Sequence, residues 1–144
     1  GDGHDIEARA QMMSAAMMGA TAFQKGLGAI HAMSHPVGAM FGTHHGTTNA
    51  VCMPAVLDFN APAIAPRFDQ AAAYLGIAGG FDGFCRFVQD LNDSLGIPKK
   101  LSALGVTAEP IEALISGALD DPSCGGNPRP LTRAALNDLF MAVI

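Results

Sequence analysis

Four of the five histidines in this 144-residue chain lie within a short stretch, at His31, His35, His44 and His45. A neutral imidazole is the commonest metal ligand, and it titrates closer to neutral pH than other side chains do. The first two are four residues apart, which on a helix places them on one face about 5–6 Å from each other. A chain that turns back after Gly42 could bring His44 or His45 toward His31. The cluster therefore predicts metal binding or proton transfer.

The spacing of these histidines also has an ordinary structural interpretation. Single histidines are more often core or surface residues, and His-x-x-x-His arises by chance on helices. The motif here lacks the glutamate of the zinc protease pattern His-Glu-x-x-His. Four histidines within fifteen residues, with one elsewhere, favour ligation about as strongly as a structural role. Spacing by itself leaves both interpretations open.

The order of residues around the histidines is a more specific signal. It reads Gly28, His31-Ala32-Met33, His35-Pro36 and Gly38, then His45-Gly46, Asn49-Ala50 and a run from Met53-Pro54 to Asn60. This order resembles the C-terminal signature of the iron-containing (group III) alcohol dehydrogenases. Residues 7–9, 22–23 and 127–132 resemble segments that flank the signature in that family, so the resemblance spans nearly the whole chain.

The resemblance implies roles for three of the histidines. His31 and His45 fall where the family has two ligands of a catalytic divalent metal. His35 falls where the family has a histidine beside the nicotinamide and the substrate, assigned to proton relay. The residue before the second ligand is usually proline in the family and is His44 here, which makes His44 the alternative ligand. Its position before Gly46 favours His45.

The resemblance also implies an activity and a division of the enzyme. We expect residues 1–144 to form a partial C-terminal, all-helical metal-binding domain, incomplete at its N-terminal side, with the N-terminal dinucleotide-binding domain absent. The implied enzyme is an NAD- or NADP-dependent alcohol dehydrogenase that uses Fe(II), with Zn(II) as the alternative. A bound cation lowers the pKa of the alcohol, so that hydride can leave to the nicotinamide.

The isolated chain is expected to be inactive. Two histidines do not fill a coordination shell, and the resemblance implies that an aspartate and another histidine come from an upstream helix. Asp58, Asp2 and Asp5 are not placed to substitute for them. The expected partners are a small alcohol or aldehyde and further copies of the chain in a homo-oligomer. The alternatives are a zinc glycerol dehydrogenase-like or maleylacetate reductase-like relative, a freestanding helical metal-binding module, and a purely structural one.

Composition excludes several other classes of protein. With a net charge of −5 and only eight basic residues, the chain lacks the excess positive charge that binds nucleic acid or an anionic membrane. It also has no tryptophan, which argues against a surface that stacks the bases of single strands. No apolar run reaches the length of a transmembrane helix. The three cysteines, Cys52, Cys85 and Cys124, are scattered and odd in number, which favours reduced thiols in a cytoplasmic protein.

Hydrophobic periodicity predicts an all-α helical bundle with no strand of useful length. The first predicted helix runs from residue 6 to about 23, is capped by Asp5 and is expected to be buried in the core. The second covers about 27–40, with a kink or break after His35 caused by Pro36. The third covers 47–59 and is expected to stop at Asn60-Ala61-Pro62.

Four further helices complete the predicted bundle. One covers 67–75 and another 82–95, the latter with Phe84, Phe87, Val88, Leu91 and Leu95 facing inward. A third is capped by Thr107 and is followed by a Gly- and Pro-rich loop over 120–130. The last is capped by Thr132, with Leu136, Leu139, Phe140 and Val143 facing inward.

Overall fold

The computed structural model describes residues 2–144. Within that range the chain is helical and contains no strand, so the predicted all-α fold is confirmed. The six α-helices are α1 (Ile6–Ala22), α2 (Ala29–Phe41), α3 (His45–Tyr74), α4 (Gly80–Ser94), α5 (Ile111–Asp120) and α6 (Arg133–Val143). Short 3₁₀ segments occupy Phe23–Lys25, Leu101–Leu104 and Pro122–Gly126. No helix of the described chain is long and apolar enough to cross a membrane.

The hydrophobic core lies among α2, α3, α5 and α6. Helix α2 is central because it packs against both α3 and α5, while α6 closes the core against α3 and α5. The side chains that meet there are almost fully buried and include Met33, Val37, Cys52, Leu114, Ile115 and Phe140. The inward face predicted for α6 is confirmed, since Leu136, Leu139, Phe140 and Val143 are all buried. The cap predicted at Thr132 is also present, with its Oγ1 accepting from the backbone N–H of Ala135 at 3.2 Å.

Helix α2 does not break at Pro36, so the predicted break is wrong. It runs without interruption to Phe41 and ends at Gly42, whose φ of 66° is left-handed, as is usual for a helix C-terminus. Proline removes one backbone donor, but tertiary packing holds the helix together. Gly117 of α5 lies so close to Pro36 that a Cβ at position 117 would stand 2.9 Å from the Pro36 Cβ.

Helix α3 is a single helix of 30 residues that includes Pro54, Pro62 and Pro66. The predicted stop at Asn60-Ala61-Pro62 is wrong, and the helix predicted over 67–75 is the continuation of α3. Partners from α4 support its second half: the Asp69 carboxylate accepts from the backbone N–H of Phe81 at 2.8 Å. The Phe68 ring packs against the Phe84 ring with their centroids 4.8 Å apart.

Helix α1 is exposed along its whole length, so the prediction of a buried core helix is wrong for this chain. Its N-cap is as predicted, with the Asp5 carboxylate accepting from the backbone N–H groups of Glu7 and Ala8. None of its residues is buried, and four methionines are 66–74% exposed: Met12, Met13, Met17 and Met18. The reason is that, across residues 2–144, only the turn that follows α1 packs extensively against it.

Two further predictions about α4 and α5 are corrected. Val88 of α4 is buried, but Phe87, Leu91 and Leu95 are 46%, 45% and 66% exposed, because α4 packs mainly on α3 and leaves its other side open. Helix α5 begins at Ile111 without a side-chain cap, so Thr107 does not cap it. Pro110 disfavours helical backbone in the residue before it, which delays the start of the helix.

Candidate metal centre

The start of α2 is held by a pair of asparagines. The Asn127 side-chain oxygen accepts from the backbone N–H of Ala29 at 3.1 Å and from the Asn60 amide at 3.0 Å. The Asn127 amide donates in return to the Asn60 oxygen at 2.9 Å. This exchange ties together the first turn of α2, the middle of α3 and the loop before α6. The positions of the histidines on α2 are therefore set relative to α3.

Three histidine rings form a compact cluster where α2 meets the start of α3. The ring centroids are 5.6 Å apart for His31 and His35, 5.2 Å for His31 and His45, and 5.4 Å for His35 and His45. The chain turns back after α2 as expected, and the histidine that it brings to His31 is His45. His44 makes none of these ring contacts and instead caps α3, its Nδ1 accepting from the backbone N–H of Thr47 at 3.3 Å.

Asn49, one turn into α3, joins two of these rings. Its Nδ2 lies 3.0 Å from Nε2 of His45 and 3.4 Å from Nε2 of His31. An unprotonated Nε2 accepts from the amide NH₂ group, whereas a protonated Nε2 donates to the amide oxygen. With either assignment the two Nε2 atoms approach one side chain, Asn49. The Asn49 side-chain oxygen is buried and has no hydrogen-bond partner.

The environment of His31 keeps its ring neutral. Burial lowers its pKa, and the neighbouring His45 and His35 lower it further, while Asp121 has the opposite effect. A metal binds the neutral imidazole, because the protonated ring has no lone pair to donate. His31 is therefore available as a ligand to a lower pH than an ordinary histidine.

His35 has a partner that sequence reasoning missed. Its Nδ1 lies 2.7 Å from Oδ2 of Asp121, and the two side chains are 43% and 11% exposed. Asp121 lies in the segment predicted only as a Gly- and Pro-rich loop. It caps the 3₁₀ turn Pro122–Gly126 by accepting from the backbone N–H of Ser123, and Asp-Pro-Ser is a recognisable turn signal. No spacing links it to His35, 86 residues away.

The described side chains do not by themselves make up a metal site. Over residues 2–144, no group of three or more His, Cys, Asp or Glu side chains is arranged to hold a metal ion. His31 and His45 nevertheless offer two imidazole nitrogens that converge, and imidazole is a ligand that suits Fe(II) and Zn(II). The residues fit two positions of a coordination shell that needs four or more.

The cluster lies apart from two surface clefts. A cleft of about 510 Å³ is lined by residues of α3, α4 and α6, including Asp58, Asn92 and Val143. A second cleft, of about 500 Å³, lies beside it near Phe59 and Arg129. Neither is lined by the clustered histidines, so these clefts are not where the candidate chemistry lies.

The chain matches proteins of a known family over its whole length. Residues 1–144 match the family model described as the Fe-containing alcohol dehydrogenase family, C-terminal. The chain is 43% identical over 142 residues to 4-hydroxybutyrate dehydrogenase of Cupriavidus necator, a match that covers 92% of the chain and 37% of the relative. It is 36% identical over 122 residues to lactaldehyde reductase of Escherichia coli strain K12, covering 80% and 32% of the two chains.

A solved structure shows the same fold. An alcohol dehydrogenase from Oenococcus oeni superimposes with a TM-score of 0.91 at 27% identity, over 99% of this chain and 39% of the other. The chain thus spans about a third of the length of the curated relatives that it matches.

Proposed function

Because this chain belongs to the iron-containing alcohol dehydrogenase family, as part of its C-terminal region, we propose that it supplies the metal and substrate side of a dehydrogenase. The complete enzyme would transfer hydride between a small alcohol or aldehyde and NAD or NADP. The observation that carries the proposal is the convergence of the Nε2 atoms of His31 and His45 on the Asn49 amide, at 3.4 Å and 3.0 Å.

His31 and His45 are the proposed metal ligands. The lowered pKa of His31, caused first by its burial, favours the neutral ring that binds a metal. Asn49 holds the two rings in register from one turn further along α3. When bound, a divalent cation supplies the positive charge that favours loss of the hydroxyl proton of an alcohol. The remaining ligands and the nicotinamide site are expected from other parts of the enzyme.

His35 is the proposed proton relay. Oxidation of an alcohol sends a hydride from carbon to the nicotinamide and releases the hydroxyl proton, which needs an acceptor. With Nδ1 of His35 engaged by Asp121, its Nε2 is the nitrogen left to accept that proton. At 43% exposure the side chain is accessible to a small substrate. In aldehyde reduction the same nitrogen would return the proton.

Paired substitutions in the complete enzyme test the ligand assignment. His45→Ala should lose most of the bound metal, because it removes one of the two converging nitrogens. His44→Ala is the matched control and should keep the metal, since His44 caps α3 and makes no ring contact in the cluster. Metal content per subunit, measured by inductively coupled plasma mass spectrometry, shows which of His44 and His45 is the ligand. Loss of metal from His44→Ala with retention in His45→Ala would reverse the assignment.

A further inference from the structure

We infer that Asp121 is a positioning residue for His35, holding the proton of its imidazole on Nδ1 and leaving Nε2 as the proton-accepting atom. The functional meaning of this inference rests on the proton relay proposed above, whereas its geometry stands on the structure alone. The central contact joins Nδ1 of His35 to Oδ2 of Asp121 at 2.7 Å. That is a short, well-formed hydrogen bond between a ring nitrogen and a carboxylate.

The Asp121 carboxylate is itself fixed in place. Its Oδ1 accepts from the backbone N–H of Ser123 at 2.8 Å, so each of its oxygens has a separate partner. Its backbone carbonyl accepts from the N–H of Cys124 at 2.9 Å, which closes the 3₁₀ turn after α5. The side chain is only 11% exposed. Because the Ser123 N–H fixes Oδ1, the carboxylate keeps its orientation, and its Oδ2 can in turn fix the orientation of the imidazole.

The packing of α2 on α5 brings the two side chains together. Gly117 lies directly against Pro36, and any larger residue at position 117 would push the helices apart. Asp121 follows the end of α5 by one residue, and His35 precedes Pro36 on α2. The close approach of the helices therefore places the carboxylate beside the ring, although the two residues are 86 positions apart.

The charge of Asp121 decides which nitrogen of His35 carries the proton. Burial alone would raise the pKa of the carboxyl, but hydrogen bonds to His35 and to Ser123 lower it more, so the net shift is downward. An ionised carboxylate only accepts hydrogen bonds, so Nδ1 must donate. The neutral ring then has its lone pair on Nε2. When the O–H bond of the alcohol breaks and Nε2 takes the proton, the imidazolium that forms lies beside a fixed negative charge.

The same contact could serve only to hold α2 against the loop after α5. The experiment therefore has to distinguish this structural role of Asp121 from its role in positioning the His35 ring. Asp121→Asn keeps the size of the side chain but removes the charge and adds an amide donor, which permits the opposite tautomer of His35. Asp120→Asn is the matched control: it removes the adjacent carboxylate, which is exposed and is not bonded to His35.

The first measurement is ¹⁵N NMR of the histidine-labelled chain without metal, at about pH 8.5, two units above the ordinary histidine pKa. His35→Gln identifies the His35 signals, and circular dichroism checks that helicity is unchanged. The parent chain and Asp120→Asn should show His35 protonated on Nδ1, and Asp121→Asn should shift the ring toward the Nε2-protonated form. An Nε2-protonated parent, or no change in Asp121→Asn, would overturn the inference.

The second measurement is turnover of the complete enzyme. Asp121→Asn should lower kcat by about 10–100-fold, as loss of an orienting carboxylate typically does, with metal content retained. In the His35→Gln background the same change should cost no further rate, because Asp121 acts only through His35. A further loss there would show that Asp121 acts independently. Full turnover in His35→Gln would refute the proton relay, while the NMR result would still report on the tautomer.

Discussion

At the residue scale, His31 and His35 differ in their partners although they are one turn apart on α2. His31 faces α3, where the Asn49 amide meets its Nε2, and burial lowers its pKa. His35 is more exposed and is bonded to Asp121 from beyond α5. The first environment favours a neutral ring, and the second fixes a ring nitrogen against a carboxylate. The different roles proposed for the two histidines thus rest on their different neighbours.

The lowered pKa of Asp121 predicts how its contribution to stability depends on pH. The unfolded chain binds the proton at the ordinary aspartate pKa of about 4, while the folded chain binds it at lower pH. The contribution is therefore complete above the ordinary pKa and is lost as the pH falls through the folded value. The difference in unfolding free energy between the parent chain and Asp121→Asn should shrink progressively as the pH falls below about 5.

Urea unfolding at a series of pH values measures that difference. Asp120→Asn serves as the comparison, because its carboxylate is exposed and has no partner at His35. The difference in unfolding free energy between the parent chain and Asp120→Asn should change less over the same pH interval. A difference for Asp121→Asn that stays constant or grows as the pH falls would contradict the prediction.

At the element scale, α3 shows how a helix continues through proline. Pro54 has no N–H, so the carbonyl of Ala50 lacks its usual donor. The Asn92 amide of α4 supplies a donor to that carbonyl at 2.9 Å. The second half of α3 is held against α4 by the Phe68 and Asp69 contacts. At Pro54, a side chain of α4 thus replaces the hydrogen bond that the proline removes from the helix.

A double-mutant cycle tests this replacement. Asn92→Ala should lower the unfolding free energy by about 1 kcal/mol, because it leaves the Ala50 carbonyl without a donor. In a Pro54→Ala background, where the backbone N–H is restored, the same substitution should cost less. Gln89→Ala, at an exposed position of α4, is the control and should change stability by less than about 0.5 kcal/mol. Equal costs for Asn92→Ala in both backgrounds, measured by urea unfolding, would refute the coupling.

At the scale of the whole molecule, the described chain supplies two of the proposed metal ligands and leaves one helix uncovered. Two converging nitrogens come from His31 and His45, and the described residues hold no metal-binding group of three or more. Helix α1 presents its methionines to solvent, which is the exposed apolar face expected of a partial domain. Most of the stability of a helix in a protein comes from tertiary packing, so the stability of α1 depends on what packs against it.

We predict that the 144-residue chain alone neither turns over alcohols nor binds the metal tightly. Two dependable ligands are fewer than a stable divalent site requires, and no dinucleotide-binding unit was found in the sequence. The chain mixed with NAD, Fe(II) or Zn(II) and simple alcohols should produce no NADH by absorbance. Isothermal titration should find no site tighter than about 1 μM. Turnover, or one tight metal per chain, would favour a freestanding metal-binding module or a misplaced ligand set.

The sequence by itself determined the family, the all-α class and the local ends of several helices. The order of residues from Gly28 to Asn60 carried the family resemblance, which the match to residues 1–144 confirms. The caps at Asp5 and Thr132 and the inward face of α6 were also predicted correctly. Caps and helix faces depend on residues only a few positions apart in the sequence, so the spacing of residue types predicts them. The roles of His31, His35 and His45 stay predictions that rest on the resemblance.

Only the tertiary structure decided which distant groups meet and which surfaces are covered. Asp121 reaches His35 because α5 packs closely on α2, and the turn after α2 brings His45 rather than His44 into the cluster. Helix α3 continues through its prolines because α4 supports it, and α1 is exposed because little of the described chain covers it. Contacts between residues far apart in the sequence produce no periodic pattern from which they could be predicted. Burial of a side chain depends on what packs against it as much as on its own hydrophobicity.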